Sequence, residues 1–248
     1  MSGHSKWAKI KHKKAVTDSK RQAAFSRMLK EITSVAKDSG GNPDTNPRLR
    51  TAIFRAKSLS IPMSTVENAI KKGTGELPGV VYENTMFDVR GPKGVALLVE
   101  CLTDNKNRTT AEVRAILNRN NGKMGEPGST IRLFDKKGLI EIEKDKISEE
   151  ALTELILEAG AEDLSAEEEM YEVTCEPSSL EAVRIALEQK KIPVQNAEII
   201  MIAREPIPVD GKDAQQILDL IEALEESEDV QNVHANCDIA APDPEAVE

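Results

Sequence analysis

The chain has 248 residues, of which 39% are hydrophobic and 31% charged, and a formal net charge of −10. This is ordinary globular composition for one to three domains, and no apolar run approaches the roughly 18 residues that a membrane-spanning helix needs. The net charge conceals a division: residues 1–75 carry 16 Lys and Arg against 5 Asp and Glu, whereas residues 76–248 carry 17 against 38.

A basic third joined to an acidic body points to a polyanionic partner for one end, since the body would repel the same polymer. Nucleic acid or a ribonucleoprotein therefore ranks ahead of small-molecule catalysis. Cys101, Cys175 and Cys237 are odd in number and far apart, with no CxxC pair. They suggest no disulfide framework and fit a reducing cytoplasm, the expected location. The N-terminus lacks the apolar stretch of a secretory signal. It is free of acids before Asp18, but it also lacks the Arg/Ser bias of a transit peptide. Aromatic residues make up 3% of the chain, too few for a base-stacking sheet with several exposed rings.

Residues 1–16 show no apolar periodicity and read as a basic tail, with Lys6, Lys9, Lys11, Lys13 and Lys14 interleaved with Trp7 and Ile10. Phe25, Met28, Leu29, Ile32, Val35 and Ala36 recur at helical spacing over residues 17–39, and Gly40-Gly41 stops the helix. Lys20, Arg27, Lys30 and Lys37 fall on its opposite face. Asn46-Pro47 reads as an N-cap with Pro at the first helical position, opening a helix that carries Arg48, Arg50 and Arg55. Ser64–Glu67 reads as a capping box for a third helix, which Gly73 ends. Residues 17–78 thus make a small helical bundle.

Beyond Gly75 the texture changes. Strands are predicted at 86–90 and 95–102 around a Gly91–Gly94 turn, and a polar stretch, Thr103–Arg108, then leads into a helix ending near Asn120. Gly122, Gly125 and Gly128 mark a loop. From Leu139 the pattern is strand 139–143, helix 148–159, strand 170–175, helix 178–190 and strand 197–202, with Glu167–Glu169 as a solvated loop. A last helix over 212–224 and a strand near 230–234 lack a complete sheet of their own. They are expected to return to the earlier sheet, leaving residues 131–205 as an insertion. The division is then a tail (1–16), a bundle (17–78), an α+β domain (79–130 plus 206–240), an inserted α+β domain (131–205) and an acidic tail (241–248).

The basic run carries the clearest chemistry. Lysines spaced along it can follow a phosphate backbone and release counterions, while Trp7 stacks on a base; alternatively, Trp7 docks on the protein's own bundle and the lysines are solvated. The candidate nucleic-acid contacts are Lys6, Trp7, Lys9, Lys11, Lys13 and Lys14, followed by Lys20, Arg27, Arg48 and Arg50. A candidate second site is Asp104, Asn105, Asn107 and Arg108, between a strand end and a helix start where backbone donors can bind an anion; a plain Asn107 N-cap is the other reading. The glycines at 122–128 lack the Gly-Lys-Ser/Thr of a phosphate loop. His4 and His12 lie on the tail, and His234 with Cys237 lacks two further ligands nearby, so neither catalysis nor a metal is expected. No cofactor is expected either.

Several stretches are similar to one known family. They include Gly3–Trp7, Ile10–Ala15, Asn46–Arg50, Ala69–Gly73, Glu100–Asn105 with Asn107–Thr109, Gly128-Ser129, Lys137-Gly138 and Asp229–Val233. On these residues, spread over nearly the full chain, the sequence resembles the YebC/PmpR family, which includes the mitochondrial translational activator of cytochrome c oxidase. The resemblance implies an α+β fold of three domains, an N-terminal three-helix bundle and two small α+β domains, the third inserted in the second. It implies a non-enzymatic cytoplasmic regulator of gene expression. Members are described either as DNA-binding transcriptional regulators or as ribosome-associated translation factors that relieve stalls at proline-rich stretches. A flexible basic tail suits threading between RNA helices better than rigid groove reading, which favours ribosomal RNA over DNA. A protein-interaction adaptor, with the acidic body binding a basic protein, is the reading from another class. Arg90, Lys93 and Arg132 stand where the family usually has Tyr, Gly and an aromatic residue, which would make a cleft lined by them more cationic.

Overall fold

The computed structural model describes residues 18–167 and 169–239, with side chains from Arg21 onward. The basic run before Asp18 and the acidic end beyond residue 240 lie outside them. The fold is α+β: a helical region is followed by two α+β parts, with the chain of the second inserted in that of the first. The described residues divide into two compact units. One contains residues 18–34, 78–135 and 202–239, and the other residues 35–77 and 136–201.

The helical region holds α1 (Asp18–Ser39), α2 (Pro47–Ser58) and α3 (Met63–Thr74). Asn46 is the hinge of its sequence logic. Its Oδ1 accepts from the Leu49 amide at 3.1 Å, while its Nδ2 donates to the carbonyls of Val35 and Gly40 at 3.2 and 2.8 Å. One buried amide thus caps the start of α2 and the end of α1 together. The capping box expected at Ser64 does not form. The third helix starts two residues earlier, with Pro62 as N-cap and no side-chain cap, and Gly75 at φ +82°, not Gly73, ends it. The left-handed turn needs Gly at that later position, because a Cβ there would be strained.

In the first unit, β1 (Glu83–Arg90), β2 (Ala96–Thr103), β3 (Lys123–Met124) and β9 (Val230–Ala235) form an antiparallel sheet in the order β3-β1-β2-β9. Val89, Leu97, Val99 and Val233 face inward onto α4 (Lys106–Arg119) and α7 (Gly211–Glu225), whose Val113, Leu117, Ile217 and Leu220 complete the core. β9 returns to β2 because α7 and β9 each carry an apolar face that neither can bury alone. Two features differ from the expectation: Lys123-Met124 is a short strand inside the presumed loop, and β8 (Ile207–Val209) pairs in parallel with β10 (Cys237–Ile239). Strands of two or three residues are too short to show a period.

The second unit holds a sheet in the order β5-β6-β4-β7, formed by β4 (Phe134–Glu143), β5 (Ala161–Ala166), β6 (Met170–Cys175) and β7 (Asn196–Ala203). Ile140, Ile142 and Val173 pack against Leu152 and Ile156 of α5 (Glu149–Glu158) and Val183 and Leu187 of α6 (Leu180–Gln189). β5 was hidden in the sequence because Ala161–Ala166 has no β-branched or aromatic residue. It forms at the sheet edge through its pairing with β6, with a register shift between Ala161 and Asp163. Helix α2 belongs to this unit: Phe54 packs on its core, the Arg184 guanidinium lies 5.3 Å from the Phe54 ring centre, and Arg55 pairs with Glu198 at 3.1 Å.

Candidate nucleic-acid interface

Lys6, Trp7, Lys9, Lys11, Lys13 and Lys14 lie outside the described residues, as does the side chain of Lys20. The three remaining candidates are placed very differently. Arg27 is partly buried, with Nη1 donating to the carbonyls of Glu225 at 3.0 Å and Val230 at 3.4 Å. Burial lowers its pKa against the opposing pull of Glu225. Arg50 donates to the carbonyls of Pro43 and Asp44 at 3.2 and 3.0 Å and pairs with Glu181 at 3.0 Å. Arg48, two residues before Arg50 on the same helix, is exposed. Of these three, Arg48 is the one whose charge faces solvent.

Arg27 is part of an attachment that sequence reasoning missed. One turn on, Lys30 donates to the Glu228 carbonyl and to Asp229 Oδ1, each at 2.9 Å. Asp229 Oδ2 in turn accepts from Thr103 Oγ1 at 3.0 Å, Thr109 Oγ1 at 2.7 Å and Arg108 Nη2 at 2.8 Å. The Asp229 side chain is 4% exposed. Burial pushes its carboxyl up, but the hydrogen bonds from Arg108, Lys30 and Thr109 outweigh it and hold the pKa well below the usual carboxylate range. One carboxylate thus ties together α1, the end of β2, the start of α4 and the turn before β9. Its only signal in the sequence was an acidic residue just ahead of the last strand.

The same network absorbs most of the candidate second site. Asn105, not Asn107, is the N-cap of α4, accepting from the Arg108 amide at 3.1 Å. Arg108 pairs with Asp104 at 2.8 Å as well as with Asp229. Asn107 faces solvent. The structure therefore brings Asp104, Asn105 and Arg108 together around Asp229, and leaves Asn107 apart.

Among the described residues, no group of three or more His, Cys, Asp and Glu could hold a metal ion, and no helix is long and apolar enough to cross a membrane. All three cysteines are buried and free. What the described surface offers is charge, presented on an α+β scaffold whose first helix is anchored by a buried carboxylate.

The sequence comparisons give the family. The TACO1/YebC protein N-terminal domain matches residues 5–76, and the TACO1/YebC second and third domain matches residues 82–237. The chain belongs to the TACO1/YebC family. It is 51% identical over 245 residues to a "Probable transcriptional regulatory protein" of Geobacter sulfurreducens, covering 99% of each chain. A protein of the same description from Chlorobium luteolum is 50% identical over 241 residues, covering 97% of this chain and 96% of its own length. The crystal structure of a conserved hypothetical protein from Aquifex aeolicus superposes with a TM-score of 0.86 at 40% identity, covering 98% of this chain and 99% of that one.

Proposed function

We propose that this protein is a non-enzymatic regulator of gene expression in the cytoplasm that binds nucleic acid, and that it acts on the ribosome as a translation factor relieving stalls at proline-rich stretches. The observation that carries this reading is the anchoring of α1 by Asp229. The basic run of residues 2–15 directly precedes a helix whose Arg27 and Lys30 are spent on that anchor. A cationic segment growing from a fixed helix suits insertion between RNA strands, where the surroundings supply orientation and phosphates supply affinity. Lys6, Trp7, Lys9, Lys11, Lys13 and Lys14 make the contacts in this reading, and Lys20 and Arg48 are further candidate contacts. Arg27 and Arg50 support the elements that carry them.

The second reading is a DNA-binding transcriptional regulator, and the descriptions of the Geobacter and Chlorobium relatives favour it. Sedimentation with purified ribosomes beside a DNA titration, each at low and near-physiological salt, separates the two. Ribosome association that survives near-physiological salt, and is lost on deleting residues 2–15, supports the translation reading. Tight sequence-dependent DNA binding without ribosome association overturns it.

A further inference from the structure

The outer face of the β3-β1-β2-β9 sheet is half covered and half open. Toward β9 its Leu98 and Leu102 are 1% and 2% exposed, whereas Met86 on β1 is 52% exposed. At this open edge Arg90 of β1 lies directly opposite Lys123 of β3, and both are exposed. Their neighbours Val89 and Met124 point into the core, so the two cations project together on the outer side. Like charges directly opposite on adjacent strands repel. Neither residue has an ion pair or side-chain hydrogen bond among the described residues, whereas Arg27, Arg108 and Arg204 of the same unit all do.

Asp88, on the same outer face two residues before Arg90, holds the loop that leads to a third exposed cation. Its carboxylate accepts from the amides of Gly128 at 2.9 Å and Thr130 at 2.6 Å, and its carbonyl accepts from Gly125 at 2.7 Å. The 125–130 loop is therefore held against the sheet, and exposed Arg132 follows in the next turn with Ile131 and Leu133, which are 37% and 40% exposed. Asp88 spends both oxygens on amides, leaving Glu126 as the one acid of the loop.

We propose that Arg90, Lys123 and Arg132, with the exposed Met86, Ile131 and Leu133 of the same unit, form a second RNA contact on the first α+β unit, separate from the N-terminal basic run. Cations without partners among the described residues take phosphates and the exposed apolar side chains take ribose and base faces, a mixture suited to an unpaired RNA strand. This rests on the nucleic-acid reading above.

The test is a titration of the full chain with a fluorescein-labelled ribosomal-RNA stem-loop across a salt series. It compares the wild type, an R90S/K123S/R132S variant and an R114S/R119S control, whose arginines are exposed on α4. The triple variant should bind about tenfold or more weakly at low salt and lower the slope of log K against log salt by about 2. Its melting temperature should hold or rise, because a repulsion is removed. Wild-type affinity and slope in the triple variant overturn the second contact while leaving the proposed function standing, as does an equal loss in the control. A wild type that binds no RNA overturns both. An acidic-peptide probe that binds in place of RNA, and loses affinity in the triple variant, assigns the face to a protein partner.

Discussion

Thr109 Oγ1 donates to Asp229 Oδ2 at 2.7 Å across 120 residues of chain. The contact joins the first turn of a helix to a turn formed only after an entire α+β domain has been inserted. With Lys30, Thr103 and Arg108 it gives the buried carboxylate a full set of donors, so removing the carboxylate orphans several groups at once. Asp229→Ala should lower unfolding stability by about 3 kcal/mol, the scale for deleting one partner of a buried ion pair. Urea midpoints compared with wild type measure it.

The same residue sets an acid limb. A carboxyl whose folded pKa lies below its unfolded value stabilises fully above the unfolded value, about 3.9 for Asp. That contribution fades as pH falls from there toward the folded pKa. The stability gap between wild type and Asp229→Asn should therefore be widest near neutrality and narrow below about pH 4. Urea titrations at a series of pH values would show it, and a gap that stays constant into acid would remove Asp229 as the cause.

Arg27 and Arg48 look alike in the sequence and should behave oppositely. Arg27→Ala removes hydrogen bonds to two carbonyls and should cost about 2 kcal/mol. Arg48→Ala should leave stability within about 0.5 kcal/mol, as exposed substitutions usually do, while weakening nucleic-acid binding. Thermal melts beside RNA titrations of the two variants would distinguish a structural cation from one that contacts nucleic acid.

Gly138 admits no side chain. A Cβ there would lie 2.8 Å from Cys175 Sγ and 3.1 Å from Leu180 Cβ. Gly138→Ala should destabilise by about 1–3 kcal/mol, the range for overpacking a core. Adding Cys175→Ala removes the closer obstacle, so a double-mutant cycle should show a favourable coupling of about 1 kcal/mol.

The three thiols should be inert in the folded protein. Burial is the leading cause that pushes Cys101 up to about 12 and Cys175 and Cys237 up to about 11, so thiolate is scarce near neutrality. A chromogenic disulfide reagent at neutral pH should report none of them until the protein is unfolded, and then all three. A fast-reacting thiol under native conditions would contradict the burial described here.

Much of this architecture is legible from residues taken a few at a time. The apolar spacing in α7, the Asn46-Pro47 start of α2 and the charge division of the chain are local properties, because a helix and its cap are specified within a few residues. The sequence alone therefore determined the helices, the longer strands and the concentration of basic charge at one end. Tertiary structure alone decided what each charge does. Arg27 and Arg48 are the same residue type on neighbouring helices, but one meets two carbonyls about 200 residues away in sequence and the other meets water. Asp229 became the anchor of α1, and Ala161–Ala166 became a strand, only because distant segments supplied their partners. A hydrogen bond or an ion pair depends on separation in space, and where chain closure brings remote residues together, no local pattern records it.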